Sequence, residues 1–254
     1  MTKRLLILGG TGDAVKLAAQ TVDITGLETI TSLAGRTNQP GIVPSTVRVG
    51  GFGGETGLAE YLREMKIDFL IDATHPFAAQ ISWNAAQAAK IMEIPTLMIV
   101  RPGWKRESLD DWIEVASIEA AVRAIPATAE RIFLTIGRQQ LAPFATLTDR
   151  WCLMRSIDPP AADIPLPPGK ILLDRGPFSL EQERQLLKDY QIQAIVSKNS
   201  GGEATYPKII AARELGIPVV MVQRPIMPDG DRVTDVTEGI KWLNGQLLRW
   251  SKRK

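Results

Sequence analysis

The sequence predicts an α/β protein of two lobes, each a mostly parallel sheet wrapped by helices, with a cleft between them. Three observations carry this expectation. Short apolar runs rich in Ile, Leu and Val alternate with longer segments of helical period, the pattern of strand-helix units. The first run leads straight into a glycine turn and a helix start. Two passages, Ile94-Pro-Thr-Leu-Met-Ile-Val-Arg-Pro102 and Ile217-Pro-Val-Val-Met-Val-Gln-Arg-Pro225, match at a constant offset. Each follows an alanine-containing helix, and each such helix follows a strand that ends in a polar turn. Generic strand punctuation would not repeat the helix and the turn as well, so the chain reads as internally duplicated.

In chain order, the apolar runs predict strands over 4–8, 28–33, 69–72, 96–100, 131–136, 151–155, 171–173, 194–197 and 218–223. The intervening periodic segments predict helices over 13–19, 58–66, 76–92, 118–124, 180–188, 206–215 and 237–250. Pro126 interrupts the pattern after a helix and sets the expected boundary, giving lobes 1–127 and 128–254. The segment 158–169, with five prolines, reads as an extended loop inside the second lobe.

Composition narrows the classes. With 44% hydrophobic and 23% charged residues over 254 positions, the chain is globular in composition. The net charge of +2 hides a basic end, Ser251-Lys-Arg-Lys254, which reads as a solvated tail rather than a nucleic-acid arm. One cysteine, Cys152, among Trp151, Leu153 and Met154, reads as a buried strand thiol and points to a reducing compartment. No stretch approaches membrane-spanning length, and the N-terminal apolar run is too short for a signal peptide. The expectation is a cytoplasmic protein without membrane or nucleic-acid partners, with a monomer favoured. One histidine, His75, excludes multi-histidine metal sites, and no Cys/Asp/Glu cluster replaces them, so no metal is expected.

The glycine loop carries the cofactor argument. Gly9, Gly10, Thr11, Gly12 and Asp13 join a buried strand to a helix, where a pyrophosphate can approach the backbone and face free N–H groups. Gly10 and Gly12 fit the first two places of G-x-G-x-x-G, and Val15 occupies the third. This makes the first lobe Rossmann-like. A merely tight strand-helix turn is the bland alternative. After the second strand come Gly35, Arg36 and Thr37, and the acid that would grip a ribose 2′-hydroxyl is absent there. Arginine in that neighbourhood suits the 2′-phosphate of NADPH, with NADH still possible. Thr74, His75 and Pro76 follow a third strand and resemble the Asp-Phe-Thr-x-Pro turn of dihydrodipicolinate reductases, which by that resemblance lies near the nicotinamide. His75 fits either a proton donor or a capping and packing residue.

The second lobe reads as an anion receptor. Lys198, Asn199, Ser200, Gly201, Gly202 and Thr205 form a polar, glycine-rich run after a buried strand. Gly137 with Arg138, and Arg175, repeat the idea at two other strand ends, and Arg101 and Arg224 add cations. Such a lining suits a ligand with many carboxylates; arginines at strand ends can also simply be solvated.

Together these residues resemble the precorrin-6A reductase family, including the cobalt-precorrin-6A reductases. The markers are Ile7-Leu-Gly-Gly-Thr-Gly12, Ser32-Leu-Ala-Gly-Arg-Thr37, Asp72-Ala-Thr-His-Pro-Phe77, Thr135-Ile-Gly-Arg138, Asp174-Arg-Gly-Pro177, Ser197-Lys-Asn-Ser-Gly-Gly202 and Val220-Met-Val-Gln-Arg-Pro225. The resemblance implies two Rossmann-like lobes, a reduced nicotinamide cofactor, and hydride transfer to a conjugated C=N system of an acidic tetrapyrrole. A proton must also be added, for which His75, Tyr206, a water or a substrate carboxyl are the candidates.

Three other readings use the same residues. A non-catalytic NADP-binding sensor would bind the nucleotide without turnover. A solute-binding protein closing on a small anion would ignore it. An S-adenosylmethionine enzyme also opens with a glycine loop, but its ribose hydroxyls call for a carboxylate after the second strand.

Overall fold

The computed structural model describes residues 2–35 and 43–251. Within them the chain divides into two compact units, Met1–Arg101 with Ile226–Lys254, and Pro102–Pro225. This differs from the expected boundary at 127/128, which falls inside the second unit, because the chain passes from one unit to the other twice.

The first unit holds six parallel strands: β1 (Lys3–Leu8), β2 (Leu27–Leu33), β3 (Thr46–Val49), β4 (Phe69–Asp72), β5 (Thr96–Ile99) and β12 (Arg232–Val233), in the order β12-β5-β4-β1-β2-β3. Its helices are α1 (Gly12–Thr21), α2 (Gly54–Glu64), α3 (Ala79–Met92) and α7 (Val236–Ser251). The alternation of strand side chains feeds both faces of the sheet. Leu5, Ile7 and Ile71 pack with Leu17 of α1 and Leu243 of α7. Leu6, Leu8 and Leu70 pack with Leu58 and Leu62 of α2 and Ala85 of α3. Burial on both faces explains why these strands read as unbroken apolar runs.

The second unit repeats the plan with β6 (Trp112–Val115), β7 (Arg131–Thr135), β8 (Trp151–Ser156), β9 (Gly169–Leu173), β10 (Ala194–Lys198) and β11 (Val219–Val222), ordered β6-β11-β10-β7-β8-β9. Its helices are α4 (Ile118–Ala124), α5 (Leu180–Asp189) and α6 (Pro207–Leu215). The order is that of the first sheet, with β7 standing for β1, β10 for β4 and β11 for β5. The expected duplication is therefore present in the topology. It carries an exchange: β6 and α4 follow the first unit's β5 but complete the second unit, while β12 and α7 follow β11 and complete the first.

All nine predicted strands and all seven predicted helices are present, with ends shifted by a few residues. The three strands that were not predicted, β3, β6 and β12, all lie at sheet edges with most of their residues exposed or half-buried, so they do not show as unbroken apolar runs. Cys152 is fully buried on β8, and burial pushes its thiol up to about 12, which fits packing rather than nucleophilic chemistry.

Candidate functional site

In the first sheet the strand order reverses at β1, so its C-terminal end, flanked by β2 and β4, is the switch point where ligands of doubly wound sheets bind. The glycine loop leaves β1 there. Gly9 lies against β2: its N–H donates to the Ser32 carbonyl at 2.9 Å, and a Cβ on it would stand 3.0 Å from Thr31 Cγ2. Gly10, at φ +105°, and Gly12 have nothing within 4 Å of where a Cβ would be. That open backbone surface fits the approach of a dinucleotide pyrophosphate to the start of α1.

Thr11 is the N-cap of α1, its hydroxyl accepting from Ala14 N at 3.1 Å. The same hydroxyl donates to the Ala73 carbonyl at 2.6 Å, fixing the loop to the end of β4. Asp13, in the first turn of α1, pairs with Arg101 at 3.1 Å. Arg101, expected on the substrate, thus belongs to the first unit and neutralises an acid beside the glycine loop.

After β4 the chain turns tightly. Buried Asp72 accepts from the Thr74 N–H at 3.0 Å and from its hydroxyl at 2.7 Å. His75 Nδ1 accepts from the Phe77 N–H at 3.2 Å, so the neutral ring carries its proton on Nε2. Pro76 is buried in the turn, and α3 begins at Ala79 rather than at the expected position 76, because residues 76–78 form that turn. Gly35 ends the β2 corner at φ +71°. Arg36 and Thr37 lie outside the described residues.

The second unit's expected ligands divide into two groups. Asn199 is buried, with Oδ1 accepting from Trp104 N at 2.7 Å and Nδ2 donating to Trp104 O at 3.2 Å. Its amide copies a strand partner and holds the 103–104 segment. Arg224 donates to the carbonyls of Asn199 (2.8 Å) and Ser200 (3.0 Å). Gly201, at φ +66°, leaves room for Pro102 O, which a Cβ would meet at 2.0 Å, and the Gly202 carbonyl accepts from Trp104 Nε1 at 2.9 Å. Through these contacts Asn199 and Arg224 brace the 199–202 loop.

Tyr206 is held by the side chains of Trp104, Glu107 and Arg213. Its hydroxyl donates to Glu107 Oε1 at 2.9 Å and accepts from Arg213 at 3.0 Å, while its ring lies 5.7 Å from that of Trp104. Burial is the main cause that raises its pKa above the ordinary phenol value. Tyr206 is the residue from which α6 starts.

Gly137, Arg138, Arg175 and Lys198 follow or end β7, β9 and β10 on one edge of the second sheet. Gly137 has open space where a Cβ would be. Arg138 is anchored by the Pro159 carbonyl at 2.7 Å, and Thr205 lends its carbonyl to Lys208 Nζ at 2.8 Å. Behind this edge lies a buried charge cluster absent from the sequence expectations. Arg155 and Glu183 pair at 2.6 Å, and fully buried Lys208 has its pKa pushed down to about 7, mainly by desolvation and then by Arg155. Arg155 and Lys208 sit in a strand and a helix that read as ordinary amphipathic segments, so only a three-dimensional neighbour reveals them.

Among the described residues no group of His, Cys, Asp and Glu is placed to hold a metal ion, and no helix is long and apolar enough to cross a membrane. Residues 4–244 match the sequence profile of the family described as "Precorrin-6x reductase CbiJ/CobK". A protein of Rhodococcus erythropolis named precorrin-6A reductase is 47% identical over 97% of this chain and 99% of its own length. One of Priestia megaterium named cobalt-precorrin-6A reductase is 29% identical over 95% of this chain and 98% of its own. The solved structure titled "CobK precorrin-6A reductase" superposes with a TM-score of 0.90 at 40% identity, covering 96% of this chain and 97% of that one. With a reductase fold over its length and that family's profile over nearly all of its residues, the chain belongs to the precorrin-6x reductase family.

Proposed function

We propose that this enzyme reduces precorrin-6A to precorrin-6B in cobalamin biosynthesis, using NADPH in preference to NADH. The observation that carries the reading is the switch point, where the Gly9 to Gly12 loop and the Thr74-His75-Pro76 turn are tied by the Thr11–Ala73 bond. A reduced nicotinamide supplies the hydride there.

The protein's own residues do the rest. Gly9, Gly10, Thr11 and Gly12 offer backbone and N-terminal N–H groups of α1 to the pyrophosphate. His75, once its ring has taken up a second proton and become imidazolium, gives the Nε2 proton to the carbon next to the reduced position and returns to the neutral ring. Arg138, Arg175 and Lys198 receive the acetate and propionate carboxylates of the ring, with Gly137 allowing close approach. Higher identity to the protein named for precorrin-6A than to the one named for cobalt-precorrin-6A supports a metal-free ring as substrate.

Anaerobic turnover of precorrin-6A with NADPH deuterated at the transferable position tests this. One deuterium in the product, with slower turnover of the cobalt ring and of NADH, is the expected result. Product without deuterium, or no consumption of either nucleotide, would refute it.

A further inference from the structure

At the C-terminal ends of β2 and β3 stands a guanidinium that no carboxylate among the described residues engages. Arg48 is half-buried on β3, in register with Ser32 of β2. Its Nη1 donates to Ser32 Oγ at 3.2 Å and to the Gly50 carbonyl at 2.5 Å, and its Nη2 to the Gly51 carbonyl at 2.7 Å. The Phe52 ring backs the group, 3.8 Å from Cζ to the ring centroid, with Tyr61 at 5.0 Å.

Those three bonds leave two of the five guanidinium hydrogens, on Nε and Nη2, without an acceptor among the described residues. Neutral carbonyls and a hydroxyl fix the direction of the group without cancelling its charge. The sequence between the two strands, residues 34–45, contains no Asp or Glu that would do so.

Position decides which anion this charge suits. In dinucleotide-binding sheets the adenosine ribose lies over the end of the strand beside the glycine loop, where an acid accepts the 2′-hydroxyl or an arginine meets a 2′-phosphate. Here Ser32 touches both parts: its carbonyl takes the Gly9 N–H at 2.9 Å, and its hydroxyl takes Arg48. The Gly50 N–H donates to Leu33 O at 2.8 Å, which keeps the Arg48 loop against the end of β2.

We propose that Arg48 reads the 2′-phosphate of NADPH and sets the preference for NADPH over NADH. This rests on the reading of the enzyme as nicotinamide-dependent. Ser32 and the loop carbonyls orient the fork, Phe52 supports its face, and the two remaining N–H groups meet phosphate oxygens.

Calorimetric titration of the wild type, Arg48→Met, Arg48→Lys and Arg36→Ala with NADPH, NADH, adenosine 2′,5′-bisphosphate and 5′-AMP tests the assignment. Arg48→Met is expected to raise the Kd of NADPH and of the bisphosphate on the order of 10- to 100-fold, as for loss of a charge-assisted contact. NADH and 5′-AMP should stay within about threefold, since they lack the phosphate that this contact serves. Arg48→Lys should fall between, and Arg36→Ala should keep the preference.

An unchanged NADPH-to-NADH ratio in Arg48→Met overturns the proposal. So does an equal loss for all four ligands, which marks a brace of the loop, or a preference that Arg36→Ala removes and Arg48→Met spares. A wild type that binds none of the four removes the nicotinamide reading itself, and this assignment with it.

Discussion

The Thr11 hydroxyl and the Ala73 carbonyl, 2.6 Å apart, join the glycine loop to the end of β4 while the same oxygen caps α1. One side chain therefore both caps the helix and ties the glycine loop to the residue that follows β4. Thr11→Val keeps the shape and removes both bonds. It is expected to cost about 1 kcal/mol of stability, the scale of a lost N-cap. The Kd for NADPH should rise several-fold, read by titration next to a thermal melt, and an unchanged Kd would detach the bond from cofactor binding.

His75 separates two roles by kinetics. With Nδ1 accepting from Phe77, a glutamine at this position can keep a local hydrogen bond but cannot deliver a proton. His75→Gln is expected to lower kcat by 10²- to 10⁴-fold, the range of general acid catalysis, and to leave the Kd for NADPH nearly unchanged. Equal damage to Kd and kcat would assign the ring to packing.

Asn199 and Arg138 should fail in different assays. Asn199→Ala strands the Trp104 N–H and carbonyl, and a loss of about 2 kcal/mol in urea unfolding is expected from two backbone groups left unpaired. Arg138→Ala leaves the fold and NADPH binding intact and raises KM for the tetrapyrrole. A fully stable Asn199→Ala protein with raised KM would return that residue to the substrate.

Lys208 predicts a pH-dependent stability with a definite sign. Its folded pKa is lowered to about 7, so the cost of the buried charge is complete below that pH. Between pH 7 and the ordinary lysine range the unfolded chain holds the extra proton, and stability rises with pH, by at most about 1.4 kcal/mol per unit from this group. Lys208→Met removes that slope and gains most over the wild type below pH 7. Parallel Tm-against-pH curves for the two proteins would rule the account out.

The sequence made the doubly buried strands easy to find, since Leu5 to Leu8 or Ala194 to Ser197 must be apolar on both faces. Edge strands such as Arg232–Val233 carry no such demand, and their pairing with β5 comes from chain routing that no local pattern records. The same contrast holds at the site. Gly10 and Thr11 announce themselves because a phosphate cradle needs a glycine turn at one place along the chain. Asn199 and Tyr206 read as candidate site residues because polar residues after a buried strand have two uses. Their partners, Trp104 and Glu107, lie about a hundred residues away, which hides the second use.

The routing of β6, α4, β12 and α7 also bears on whether either half can fold alone. In each half of the chain, five strands of one sheet are followed by a strand and a helix that finish the other. A single half expressed alone would end in an unpaired strand-helix tail and lack its own last strand. Two identical copies could satisfy each other only by trading tails, as domain-swapped dimers do. Residues 1–127 and 128–254, made as separate polypeptides, should therefore be soluble only when produced together.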